Sequence, residues 1–225
     1  MQALKLTSDN IRDIVENNER VGMGTNGILF KYDDDTVFKF NYKDFIDCFP
    51  VVDRRVDLST IGDITEAVKT RKAIEGIMYR GEESLRVREI KSLISKQRWL
   101  KKNTMPRGLV YVDDYCVGYL LKYHKDMVNL YDYLQSHTLP YERGERVAAQ
   151  ITAAARELMD CAIYHDDFTT RNIMYNPQSG ETEIIDFEDC VRSYDEINRG
   201  AEGSFMRQLN KTRDYLMTRV DTPTM

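Results

Sequence analysis

The sequence has no apolar run near the roughly 20 residues that a membrane-spanning helix requires. Its opening stretch, MQALKLTSDNIRDIVENNER, lacks a basic segment followed by an apolar one, so Sec-type export is not expected. Positive charge is not in excess. The 32 Lys and Arg stand against 37 Asp and Glu, a net charge of −5, which argues against a general nucleic-acid or membrane-surface binder. Cysteine is sparse: Cys48, Cys116, Cys161 and Cys190 lie far apart, with no CxxC pair and no histidine at zinc-finger spacing. Buried, reduced thiols are the expectation, which fits a reducing compartment such as the cytoplasm. There is no Pro/Gly-rich linker, low-complexity tract or internal repeat.

What remains is an ordinary globular composition, 42% hydrophobic and 31% charged over 225 residues, enough for one large domain or two lobes. The first half alternates short β-rich runs with polar turns. GILFKYDDDTVFKF (27–40) holds two such runs, Ile28 to Tyr32 and Thr36 to Phe40, joined by Asp33, Asp34 and Asp35, and this spacing predicts a hairpin. RGLVYVDDYCVGYLLKYH (107–124) repeats the device, with Asp113 and Asp114 at the turn. Between them SLRVREIKSLISKQRWL keeps Val87, Ile90, Leu93, Ile94 and Leu100 at roughly helical spacing. Residues 41–80 read as an insertion of unknown role, with a helix expected near 63–78.

The second half opens with a helix expected over 145–164, where Val147, Ala148, Ile151, Ala154, Ala155, Leu158, Met159 and Ala162 share one face. A polar loop follows. Two short strands are expected after it, at 172–175 and 182–186, separated by the turn signal NPQSGE.

Three elements carry chemistry. GMGTNG supplies Gly22, Gly24 and Gly27. A lone GxGxxG is a weak signal that a plain glycine turn would also satisfy. No Rossmann context surrounds it, since ENNER precedes it and a hairpin follows, and the Gly-Lys-Ser/Thr of a P-loop is absent. A glycine loop between antiparallel strands does suit a flap over phosphates, where backbone N–H groups approach without an intervening Cβ. Lys39 stands on the next strand, on the face opposite Phe38 and Phe40. A solvated lysine is the bland alternative. In the phosphate-binding reading it contacts the α- and β-phosphates of a nucleotide, oriented by a carboxylate. Glu89 is the candidate partner, with Glu66, Glu75, Glu82 and Glu83 also in range along the chain.

The third element is HDDFTTRN (165–172), which fits H-x-D-x-x-x-x-N, followed by IIDFE, whose Asp186 comes nineteen residues after Asp167. Mere capping of helices and turns is the alternative. In order and spacing these elements resemble the protein-kinase-like superfamily over about residues 20–190. That resemblance implies an α+β, two-lobed fold: an antiparallel N-lobe over 1–122 and a reduced, mainly helical C-lobe over 123–225. It implies ATP and Mg²⁺ as cofactors. Asp167 would take or orient the proton of the attacking hydroxyl, Asn172 and Asp186 would hold the metal, and Lys39 would contact the phosphates. Gly22, Gly24 and Gly27 would form the flap, and Tyr123 would lie near the docked adenine.

The chain also departs from the family. Asp166 replaces the arginine of H-R-D, which normally receives a phosphorylated activation loop. Glu188 replaces the glycine of D-F-G, as in choline kinases and aminoglycoside phosphotransferases. No A-P-E occurs, and only 39 residues (225 − 186) follow Asp186. Thr169 stands where serine/threonine kinases carry a lysine, and Arg171 is a candidate to steady the γ-phosphate. A core this short is similar to the minimal effector kinases of bacterial pathogens, and to the small kinase of the tRNA threonylcarbamoyl-adenosine machinery, which usually keeps D-F-G. The expectation is therefore a monomeric serine/threonine protein kinase acting on a protein substrate, in the host cytoplasm if an effector. The alternatives are a small-molecule kinase and a pseudokinase that binds without turnover.

Overall fold

The computed structural model describes residues 2–6, 14, 17–24, 27–40, 85–112, 115–187, 190–192 and 199–221. Within them lie a mixed six-stranded sheet, two smaller sheets and four α-helices, an α+β architecture. The expected insertion at 41–80 and the carboxylates Glu66, Glu75, Glu82, Glu83 and Glu188 fall outside the described residues. No helix among the described residues is long and apolar enough to cross a membrane.

The chain divides into two compact units, residues 1–95 with 106–123, and residues 96–105 with 124–225. Residues 96–105 group with the second unit although the chain returns to the first at 106. The reason is Glu157, whose carboxylate accepts from the amides of Lys101 (2.6 Å) and Lys102 (2.9 Å) and from Asn103 Nδ2 (2.8 Å).

The first unit is built on strands β1 (Gln2–Leu6), β2 (Arg20–Gly24), β3 (Gly27–Lys31), β4 (Thr36–Phe40), β5 (Gly108–Val112) and β6 (Tyr115–Lys122), in the order β1-β5-β6-β4-β3-β2. Only β1 runs parallel to its neighbour. The Asp33–Asp35 turn closes β3 and β4: Asp33 accepts the Asp35 amide at 2.8 Å, and that bond lowers its pKa below the usual carboxylate value. Helix α1 (Leu85–Lys96) lays Ile90 onto the sheet face that carries Leu109 and Tyr119, with Val87 and Ile94 beside it. Strand β4 is buried along its whole length, Lys39 included, so the half-solvated strand that alternation suggests is covered on both faces.

The second unit packs helix α3 (Tyr141–Asp160) against α4 (Arg199–Met217), burying Val147, Ile151, Ala155 and Leu158 along α3. Helix α2 (Leu130–Ser136) starts at Asn129, whose side chain accepts from the amides of Tyr131 and Asp132. Helix α3 begins and ends four residues earlier than the sequence suggests. Ala162, at φ 51°, turns the chain out of the helix, and the next apolar residues form β8 (Ile163–Tyr164), paired with β11 (Val191–Arg192). A second small sheet joins β7 (Val128–Asn129), β9 (Ile173–Tyr175) and β10 (Thr182–Ile184). Cys190 is buried whereas Cys116 and Cys161 are partly exposed, so the expectation of buried thiols holds for one of the three cysteines among the described residues.

Candidate functional site

In the first unit the glycine motif lies on an antiparallel hairpin. Gly22 and Gly24 belong to β2, Gly27 opens β3, and Gly24 pairs across to Gly27. One strand further on, Lys39 pairs with Leu29 on one side and with Tyr119 on the other. Only 7% of Lys39 is exposed, and its ammonium lies 5.9 Å from the centre of the Tyr119 ring. A buried ammonium is held in place only by groups that stabilise its charge, and the ring face is one of them. Gly118, unnoticed in the sequence, makes this placement possible: a β-carbon there would meet the Lys39 carbonyl oxygen at 2.0 Å. Glu89 lies in α1, one residue before the buried Ile90. Tyr123 follows β6 directly. Its amide donates to the Asp35 carbonyl at 2.9 Å, and the Lys31 ammonium sits 5.8 Å over its ring.

In the second unit the loop after β8 gathers the other candidates. The Asn172 side-chain nitrogen donates to the Asp167 carbonyl at 2.8 Å and to the Asp167 carboxylate at 3.1 Å. Asn172 is therefore not the first residue of a strand. It ends a 3₁₀ turn (Thr170–Asn172), its amide bonded back to the Thr169 carbonyl at 3.0 Å. Its own carbonyl accepts the Ile185 amide at 2.9 Å, which ties the loop to the residue before Asp186. Asp186 also lies beyond its strand, in left-handed backbone at φ 67°. Such a conformation for a non-glycine residue is uncommon and persists where surrounding contacts impose it.

His165 joins these parts. Its Nε2 lies 2.9 Å from the Ile185 carbonyl, and its Nδ1 lies 3.3 Å from the Asp167 amide. A carbonyl only accepts and an amide N–H only donates, so the ring is neutral with its proton on Nε2. Burial against Phe168 and Phe187 pushes its pKa below the usual histidine value, although the Ile185 carbonyl and the nearby Asp186 and Asp167 pull the other way.

Two helices fasten the loop from outside. Gln208 on α4 accepts from the Phe168 amide at 2.5 Å and donates to the Asp166 carbonyl at 2.6 Å. One turn on, Thr212 donates to the Phe168 carbonyl at 2.7 Å, and Phe205 meets the Phe168 ring edge to face at 5.0 Å. Asn129, at the start of α2, donates to the Arg171 carbonyl. The Arg171 guanidinium stacks 4.6 Å over Tyr131. The Tyr131 hydroxyl, followed by the charges of Asp167 and Asp132, raises its pKa further.

The site offers hard oxygen donors for a divalent cation. With Nδ2 engaged on Asp167, the remaining ligand atom of Asn172 is Oδ1, and Asp186 is the next carboxylate along the chain from the Ile185 amide that Asn172 binds. Among the described residues there is no group of three or more His, Cys, Asp or Glu that could hold a metal by itself. Mg²⁺ suits such a site, because it is commonly bound by one or two protein oxygens together with substrate phosphates and water. The sequence matches no protein-family model, and no curated protein matches it.

Gln208, Thr212, Asn129 and Gly118 were not picked out from the sequence. Phe205, Leu209, Thr212 and Leu216, spaced at four, three and four residues, were the available signal for α4, and Asn129 with Asp132 was the one for α2.

Proposed function

We propose that this chain is a compact ATP- and Mg²⁺-dependent phosphotransferase of protein-kinase-like fold that modifies a serine or threonine hydroxyl on a protein. The observation that carries this reading is the pair of hydrogen bonds that the Asn172 side-chain nitrogen donates to Asp167, in a loop tied by Asn172 and His165 to Ile185, the residue before Asp186. A capping role alone leaves that arrangement unexplained. An asparagine that fixes a carboxylate and keeps its own oxygen available, tied to the residue before a second aspartate on constrained backbone, suits phosphoryl transfer.

In this reading Asp167 receives the proton of the acceptor hydroxyl, its carboxylate aimed by Asn172. Asn172 Oδ1 and Asp186 would hold Mg²⁺, which when bound offsets negative charge on the phosphate oxygens. Lys39 contributes its ammonium to the α- and β-phosphates, and the glycine hairpin contributes backbone N–H groups. A reducing compartment, the cytoplasm of the producing cell or of a host, belongs to this reading on the scattered cysteine spacing of the sequence.

Intact-mass spectrometry after incubation with ATP and Mg²⁺ tests the proposal. A phosphate-sized increment on the chain or on an added acceptor protein is expected, and Asp167→Ala and Asp186→Ala should abolish it. Equal labelling of both variants and the wild type would remove the basis for these roles.

A further inference from the structure

We infer that Gln208 is a positioning residue for Asp167, setting the direction of its carboxylate by holding the two peptide planes that meet at its Cα. This deepens the proposed phosphotransferase and rests on that reading for its catalytic consequence. The Asp166 carbonyl belongs to the peptide before Asp167, and the Phe168 N–H belongs to the one after. Gln208 binds both, donating to the first at 2.6 Å and accepting from the second at 2.5 Å. Fixing both planes fixes φ and ψ at Asp167, and with them the line along which its side chain leaves the backbone.

A primary amide is one of the few side chains that offers a donor and an acceptor side by side, as two flanking peptide groups demand. Asparagine has the same group on a stem one methylene shorter. The neighbours on α4 serve the same segment: Phe205 packs on the Phe168 ring and Thr212 takes the Phe168 carbonyl. Residues 205, 208 and 212 lie on one stripe of the helix, and all three meet residues 166–168. Asp167 itself is exposed, so no surrounding core holds it in place. Its orientation comes from Asn172 on the side-chain side and from Gln208 on the backbone side.

The test uses the full chain with Gln208→Leu, which keeps the volume and removes both bonds, and Gln208→Glu, which keeps the acceptor for the Phe168 amide and loses the donor. Three quantities are read: the transfer rate, nucleotide affinity from ATP–Mg²⁺ thermal-shift titration, and hydrogen exchange at the Phe168 amide. The expected result for Gln208→Leu is a fall in kcat on the order of 10²-fold, with nucleotide affinity unchanged and faster Phe168 exchange. Gln208→Glu sets a carboxylate oxygen against the Asp166 carbonyl and should lose at least as much kcat as Gln208→Leu. An unchanged kcat, or loss of turnover, nucleotide binding and melting temperature together in both variants, overturns the positioning role. If the wild type transfers no phosphate at all, the proposed function fails. The Phe168 amide then decides the inference alone: faster exchange in the variants supports it, and wild-type exchange overturns it.

Discussion

The carbonyl oxygen of Lys39 lies within 2.0 Å of where a β-carbon on Gly118 would stand, so these two strands approach as closely as they do only because Gly118 has no side chain. Gly118→Ala must push β4 and β6 apart at the residue that carries the buried ammonium. A loss of about 1–3 kcal/mol in urea unfolding is expected, together with a weaker ATP-dependent thermal shift. Wild-type stability in the alanine variant would mean that the strand yields without cost.

Asn172→Asp replaces the donor that faces Asp167 with a second acceptor, opposite a carbonyl at 2.8 Å and a carboxylate at 3.1 Å. A cost of about 1–2 kcal/mol is expected. Adding Asp167→Asn relieves the repulsion, so stability should recover in part while turnover stays absent. Asp167→Asn alone should keep nucleotide binding and lose on the order of 10²- to 10⁴-fold in rate. Recovery of turnover in the double variant would assign proton acceptance to another group.

His165 makes stability fall with acidity. The folded chain keeps this ring neutral, with its pKa below the ordinary 6.5, whereas the unfolded chain takes up a proton at that ordinary value. Between the two values the unfolded state binds more protons, so stability rises with pH across that window and is lost as pH drops through 6.5. One site contributes at most about 1.4 kcal/mol per pH unit. Melting curves of the wild type and His165→Gln between neutral and mildly acidic pH check this: the variant should show the shallower slope, and equal slopes would place the sensitivity elsewhere.

Glu157 binds the segment 101–103 to α3 through the amides of Lys101 and Lys102 and the side chain of Asn103. Glu157→Ala leaves these donors without a charged acceptor, and about 2 kcal/mol of stability should go with it. A change under about 0.5 kcal/mol would show that water replaces the carboxylate at no cost.

The local elements were legible in the sequence and the long-range fastenings were not. The hairpin of β3 and β4 can be read from Ile28–Phe30, Val37–Phe40 and the three aspartates between them, because its partners are neighbours along the chain. The stripe of Val147, Ile151, Ala155 and Leu158 announces α3 for the same reason. Its end was misplaced because Cys161–Tyr164 continues the apolar pattern, and only the left-handed backbone at Ala162 reveals the turn. Strand β1 is five residues long, and its partner lies about a hundred residues away, so no local pattern marks it. The polar spacing of HDDFTTRN brought Asp167 and Asn172 to attention. Nothing local connected Gln208 to Phe168, forty positions earlier. A side chain chosen to satisfy distant peptide groups leaves no periodic trace.

The stripe of Phe205, Gln208 and Thr212 also sets an order of events during synthesis. A ribosome that has made Asp167, Asn172 and Asp186 has supplied every acidic and amide group of the loop, yet nothing from α4 to brace it. The nascent polypeptide would hold this loop through Asn129, His165 and Asn172 alone until residues 205–212 emerge, so the backbone on either side of Asp167 gains its last fastening only once α4 has been made.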